Sequence, residues 1–232
     1  MVQIKTVESP EEIQGIKTLL EANLKQNLSP EERTAQGFVT CDYSIDFLTQ
    51  INQKHPSIIA VDQGEVVGYA LVVTRDSKHL HPLIDDLVNK FPQYTYQNKS
   101  LDQLNFCLVG QLCVGKSHRG QGLVQQLYHG YRDRYNHLFD YLITDVDTQN
   151  TRSLKAHQNT GFEVVGQLEF GEAQWNLVVW AWWTPKVLAL FFKICTNFSS
   201  TWMGITRGYT YIWPLIMNQI PLWKKSYLLL QF

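Results

Sequence analysis

"VGKSHRGQGLVQQLYHGYRDRY", residues Val114 to Tyr135, continues directly from the apolar run "NFCLVGQLCV" of Asn105 to Val114. The run reads as a buried strand, and Leu123, Leu127 and Tyr131 then recur at helical spacing. Between the two elements lie Arg119, Gly120, Gln121 and Gly122. Glycines at a strand end permit positive φ and let a ligand approach the backbone. A helix beginning near Gln121 leaves its first amides unpaired and adds the positive end of its dipole. Strand, glycines and helix together make an anion site suited to a pyrophosphate, to which Arg119 can add a charge-assisted contact. The competing reading of an RGxG is a tight turn without a ligand. A dinucleotide-binding Rossmann site is disfavoured, because GQG lacks the G-x-G-x-x-G spacing and no early βαβ unit precedes it.

Working outward, the flanks alternate between strands and helices. "QIKTV", from Gln3, reads as a strand. Ser9 and Pro10 then open a helix through "EEIQGIKTLLEANLKQ", with Ile13, Ile16, Leu19, Leu20 and Leu24 as its buried stripe. "SIDFLTQINQKH" reads as a second helix, and "SIIAVDQGEVVGYALVVT" as a hairpin turning at "DQGE". "LIDDLVNKF" is a short helix in an otherwise polar stretch. After the central helix come the strand "DYLITDV", the helix "NTRSLKAHQNT" stopped by Gly161, and a closing antiparallel pair, "FEVVGQLEF" with "QWNLVVWAW". The order β-α-α-β-β-β-α-β-α-β-β predicts an α/β chain with a mixed, mostly antiparallel sheet flanked by helices. "QWNLVVWAWW" is apolar on both faces, so a partner subunit in a homodimer, or the tail of the chain, is expected to cover it.

Composition divides the chain near residue 183. All 21 acidic side chains lie in residues 1–182, which carry a net charge of −6, while residues 183–232 carry five basic side chains and no acid. The expected organisation is a domain over 1–182 and an aromatic tail over 183–232. Three readings of the tail stay open: packing on the body, lying at a membrane interface, or translated sequence from a shifted frame. The membrane reading is the weakest, because Lys193 and "TNFSST" interrupt the apolar run that a span would need. A formal net charge of −1 for the whole chain argues against a nucleic-acid partner. Cys41, Cys107, Cys113 and Cys195 show neither zinc spacing nor a disulfide framework, so no metal is expected. With no apolar leader at the N-terminus, the expectation is a cytoplasmic protein.

Two motifs in the right order give this sequence its resemblance to the GNAT superfamily of acyl-CoA-dependent N-acyltransferases, over residues 2 to 182. The pyrophosphate loop Q/R-x-x-G-x-G/A is matched by Arg119, Gly122 and Leu123, with Val124 in the last place. The pattern N-x-x-(S/A)-x-x-x-(Y/H)-x-x-x-G-F is matched by Asn150, Ser153, His157, Gly161 and Phe162. The resemblance implies acetyl-CoA as acyl donor and N-acetyltransferase activity on a small-molecule or peptide amine. It implies that the backbone of Leu112, Cys113 and Val114 pairs with the pantetheine arm. It also implies that the strand Tyr141 to Val146 splays away from Gln111 to Val114, and that Lys116 to Val124, with Arg119, Gly120, Gln121 and Gly122, wraps the phosphates. The alternative is a non-catalytic acyl-CoA-binding module.

His157 stands where many relatives carry a proton-donating tyrosine, and is either that donor or a packing residue of its helix. Asn150 is an N-cap, a pantetheine contact, or both. Asp145 and Asp147 are candidate general bases, against a reading as solvated or capping carboxylates. Cys113 reads as a packing residue, because a covalent mechanism would need an adjacent base. Substrate choice is expected from Leu28 to Tyr43 and His79 to Asn105, where Glu31, Glu32, Asp42, Asp85 and Asp86 could attract a cationic amine.

Overall fold

The computed structural model describes residues 1–77, 79–171 and 173–182. The expectations for the tail, residues 183–232, lie outside them. Residues 1–135 with 139–181 form one compact unit, to which every strand and helix of the described residues belongs.

In chain order, strand β1 (Gln3–Thr6) is followed by helices α1 (Pro10–Glu21), α2 (Pro30–Gln36) and α3 (Ile45–Lys54). Strands β2 (Ile58–Asp62) and β3 (Glu65–Val73) form the hairpin, and α4 (Pro82–Lys90) and the short pair β4 (Thr95–Tyr96) and β5 (Lys99–Ser100) come next. Then come β6 (Phe106–Val114), α5 (Leu123–Tyr135), β7 (Tyr141–Asp147), α6 (Thr151–Thr160), β8 (Glu163–Phe170) and β9 (Ala173–Ala181).

Ser9 caps α1 by accepting from the Glu12 amide at 3.3 Å, and Pro10 occupies the first turn. The helix stops at Glu21, short of the expected Gln26, because side-chain amides take its last carbonyls. Asn23 donates to Leu19 O at 2.7 Å and Asn27 to Glu21 O at 2.8 Å. Leu24 is buried beyond the helix, bridged to Val39. α2 is absent from the elements expected of the sequence, yet its signature is present: in "SPEE" the Ser29 hydroxyl accepts from the Glu32 amide while Glu32 accepts from the Ser29 amide, a capping box.

The seven-stranded sheet runs β1-β2-β3-β6-β7-β9-β8 and is antiparallel except between β6 and β7. One face is packed by α1, α3 and α4, with Ile16, Leu20, Leu48 and Ile51 meeting Tyr69, Leu71 and Val73 of β3 in one buried cluster. The other face carries α5, which approaches β1 and β2 so closely that a Cβ on Gly130 would stand 2.8 Å from Ile4 and 3.2 Å from Ile58. β9 is an interior strand, paired with β7 and β8 on its two sides. Its apolar character is therefore explained within the sheet, and it calls for no partner subunit.

Candidate functional site

The sheet carries a break where its parallel pair should continue. β6 and β7 pair over Phe106, Cys107 and Leu108 against Tyr141, Leu142 and Ile143, and no further. On its other side β6 bulges, so that Gly110 and Gln111 together oppose Leu71 of β3. Side chains hold the bulge. Tyr69 donates to Gln111 Oε1, Gln111 Nε2 donates to Cys41 O at 2.9 Å, and the Tyr43 hydroxyl donates to Gly110 O at 3.1 Å. Across the opening the Thr144 hydroxyl donates to Val109 O at 2.9 Å.

Three cavities adjoin at this opening. The outer one, about 470 Å³, is bordered by Leu112, Cys113 and Val114 of β6, the loop residues Arg119, Gly120 and Gly122, and the first turn of α5. A second, about 80 Å³, lies in the gap between β6 and β7 and shares Phe38, Leu112, Asn150 and Ser153 with the first. A third, about 50 Å³, lies beyond it and shares Cys41, Gly110, Asp145 and Trp175 with the second.

Gly120 and Gly122 adopt φ of +75° and +73°, and a Cβ on either would meet no atom within 4 Å. Their conformation, not crowding, selects glycine, and the space above the loop is open. α5 begins at Leu123, two residues after the expected Gln121, so its first amides face the outer cavity. No carboxylate borders that cavity among the described residues, while Arg119, Arg152 and Lys155 do. Val124 stands on its wall and leaves it open. Gln121 does not border it: the side chain is exposed and donates to Ser117 O at 3.2 Å, closing the loop on itself.

Arg119 is a clamp as well as a charge. Its guanidinium donates to Val114 O at 2.9 Å, to Gln36 Oε1 at 3.1 Å and to Asn23 Oδ1, tying the end of β6 to α2 and to the segment after α1. Asn150 takes the capping role, accepting from the Ser153 amide at 3.2 Å and donating to Phe38 O at 2.9 Å. Both ends of its amide are spent on the fold.

His157 is buried with both ring nitrogens engaged. Nδ1 lies 2.8 Å from Ser153 O and Nε2 lies 2.6 Å from the Tyr128 hydroxyl. The carbonyl can only accept, so Nδ1 carries the hydrogen and Nε2 accepts from Tyr128. Burial pushes the imidazole pKa down to about 4, which keeps it neutral.

Asp145 and Asp147 have opposite surroundings. Asp147 is buried, pairs with Lys25 Nζ at 3.0 Å and accepts from the Gln149 amide at 2.8 Å. Asp145 borders both inner cavities and has no ion-pair partner among the described residues; removal from water pushes its carboxyl up to about 6. Cys113 is buried and its thiol is pushed up to about 12, also by burial, so it holds its proton. Of the acidic residues expected to attract a substrate, Asp86 alone borders one of these three cavities, and it is paired with Lys90 at 2.6 Å. Asp42 pairs with Lys17, Asp85 accepts from the His79 amide at 2.7 Å, and Glu32 pairs with Lys116 at 3.2 Å. Tyr43, Tyr128 and Trp175 are additions that the sequence does not signal. Only Tyr43 falls inside a segment expected to matter, and nothing local in sequence marks an aromatic as lining a gap.

Among the described residues, no helix is long and apolar enough to cross a membrane and no cluster of His, Cys, Asp or Glu is arranged for a metal. The fold is shared with solved structures. A GNAT-family acetyltransferase from Streptococcus agalactiae aligns with 79% of this chain and 96% of its own at 14% identity, TM-score 0.56. A chain of a NatC complex bound to Gag peptide and CoA aligns with 78% of this chain and 98% of its own at 16% identity, TM-score 0.54. The acetyltransferase yncA from Salmonella typhimurium, solved with acetyl-CoA, aligns with 79% and 95% at 15% identity, TM-score 0.53. No curated protein matches by sequence. The family model described as acetyltransferase (GNAT) family matches residues 22–162, spanning α2 to α6 and with them the loop, the broken parallel pair and Asp145, and the chain therefore belongs to that family.

Proposed function

We propose that this chain transfers an acetyl group from acetyl-CoA directly to a primary amine, with Asp145 as general base. One observation carries this reading: three adjoining cavities lead from the glycine loop, through the gap between β6 and β7, to the carboxyl of Asp145. The loop amides, the N-terminus of α5 and the cationic rim suit the pyrophosphate, and the β6 backbone at Leu112 to Val114 suits the pantetheine arm. Acetyl-CoA supplies an activated acyl group at the end of that arm.

The rest is done by the chain. The gap places an amine and a thioester in one narrow channel, which replaces a bimolecular encounter. Asp145 is ionised at neutral pH yet basic enough to take a proton from the amine as the C–N bond forms. The departing thiolate belongs to a thiol of pKa about 8.5 and leaves without a protein acid. His157 is a positioning residue in this scheme, holding α6 to α5 through Tyr128.

The reading is tested by release of coenzyme A thiol from acetyl-CoA over a panel of amines. Saturable, amine-dependent release is expected. Acetyl-CoA binding without release on any amine would favour the non-catalytic module.

A further inference from the structure

Trp175 carries a donor without an acceptor. Its indole Nε1 is shut off from solvent and has no hydrogen-bond partner among the described residues. Buried donors are almost always paired, so an unpaired one beside a cavity calls for an acceptor from outside the chain. Trp175 borders both inner cavities, as Asp145 does. On β9 it pairs with Asp147, which places it on the face of the sheet that carries Asp145. The innermost cavity, about 50 Å³, has room for about four water-sized groups. Leu83, Ile84, Leu87, Leu168 and Phe170 give it apolar walls.

We propose that the acceptor is an α-amino carbonyl compound with a small branched aliphatic side chain, its carbonyl oxygen accepting from Trp175 Nε1. The inference rests on the acetyltransferase reading of the Asp145 site. The amine meets Asp145, the side chain fills the apolar cavity, and the carbonyl pairs the indole. A free α-carboxylate would stand beside Asp145 and Asp86 and be repelled, so the carbonyl belongs to an amide: an amino-acid amide or the first residue of a peptide. In the transfer the amine nitrogen bonds to the acetyl carbon, its proton passes to Asp145, and the C–S bond breaks to release coenzyme A as thiolate.

The test uses the full chain with acetyl-CoA and four acceptors: valinamide, isobutylamine, which lacks only the carboxamide, valine, and a peptide beginning with valine. For wild type, kcat/KM should be about tenfold higher on valinamide than on isobutylamine, and lowest on valine. Trp175→Phe keeps the ring and removes the N–H, and should bring that ratio to about one while leaving KM for acetyl-CoA unchanged. Ile84→Phe fills the cavity and should lower valinamide turnover while sparing glycinamide. A peptide preferred over valinamide identifies a chain terminus as the source; the reverse identifies a small amide. The proposal is overturned if Trp175→Phe lowers both amines equally, or if no α-amino amide is acetylated by a chain whose Tm rises with acetyl-CoA. Without that rise, the acetyltransferase reading itself falls.

Discussion

Asp145 and Asp147 stand two residues apart on one face of β7, and only Asp147 has a cation, Lys25 Nζ at 3.0 Å. The paired carboxylate fastens the end of the strand to the segment after α1. The unpaired one is left basic at the gap.

Replacing Asp145 with Asn should lower kcat/KM by about 10² to 10⁴ and leave the acetyl-CoA thermal shift in place. Wild-type activity should fall as pH drops through about 6, because the base must be ionised. An acid limb that persists in Asp145→Asn would assign it to another group. The carboxyl of the folded state binds its proton more readily than in the unfolded chain, so this residue costs stability above pH 6 and the cost fades as pH falls. Asp145→Asn should therefore raise Tm by a few degrees at pH 7.5 and by less at pH 4.5.

Gly122 tests the loop. With ligand at 100 times its dissociation constant, linkage contributes about 2.7 kcal/mol, a rise in Tm of about 5 to 10 °C for a domain of this size. Gly122→Glu places a side chain where φ is +73° and a negative charge where phosphate is expected, and should abolish the rise. An undiminished rise in a folded variant would mean that acetyl-CoA binds elsewhere.

The buried pair of His157 and Tyr128 should behave as a stability element. His157→Phe leaves the Tyr128 hydroxyl unpaired and should cost about 1 to 3 kcal/mol, with much of the loss absent when Tyr128→Phe is added. The folded-state pKa lies below that of the unfolded chain. Stability from this residue is full above about 6.5 and is lost as pH falls toward about 4. His157→Phe should flatten the acid unfolding curve in that window and change kcat by less than about threefold. A loss of kcat beyond a hundredfold at unchanged Tm would restore it as a proton donor.

Direct transfer predicts that both substrates must be bound together. Initial-rate plots should intersect, and Cys113→Ala should retain the pattern, since a buried thiol with a pKa of about 12 supplies no thiolate. Parallel lines that vanish in Cys113→Ala would mean an acyl-cysteine.

Local signals carried most of this fold. Ser9 with Pro10, the "DQGE" turn and Gly161 each mark a boundary by their own backbone chemistry, and the strands and helices fall where those residues put them. The motif residues Arg119, Gly120, Gly122, Asn150 and Ser153 were legible for the same reason and gather at one opening. What sequence could not give was the partner of each side chain. Tyr128 lies 29 residues before His157 and Lys25 lies 122 before Asp147. Those separations are closed only by the sheet, so the same sequence pattern left His157 as donor or packing residue and Asp145 equal to Asp147.

The broken ladder also divides the molecule. β1, β2, β3 and β6 come from residues before 115 and β7, β8 and β9 from residues after 140, joined in the sheet at three residue pairs. A cut between Tyr135 and Tyr141 would yield one piece bearing the loop and α5 and another bearing Asp145 and Trp175. Each piece would be inert by itself, and recovery of transfer on mixing would report reassembly of the two halves.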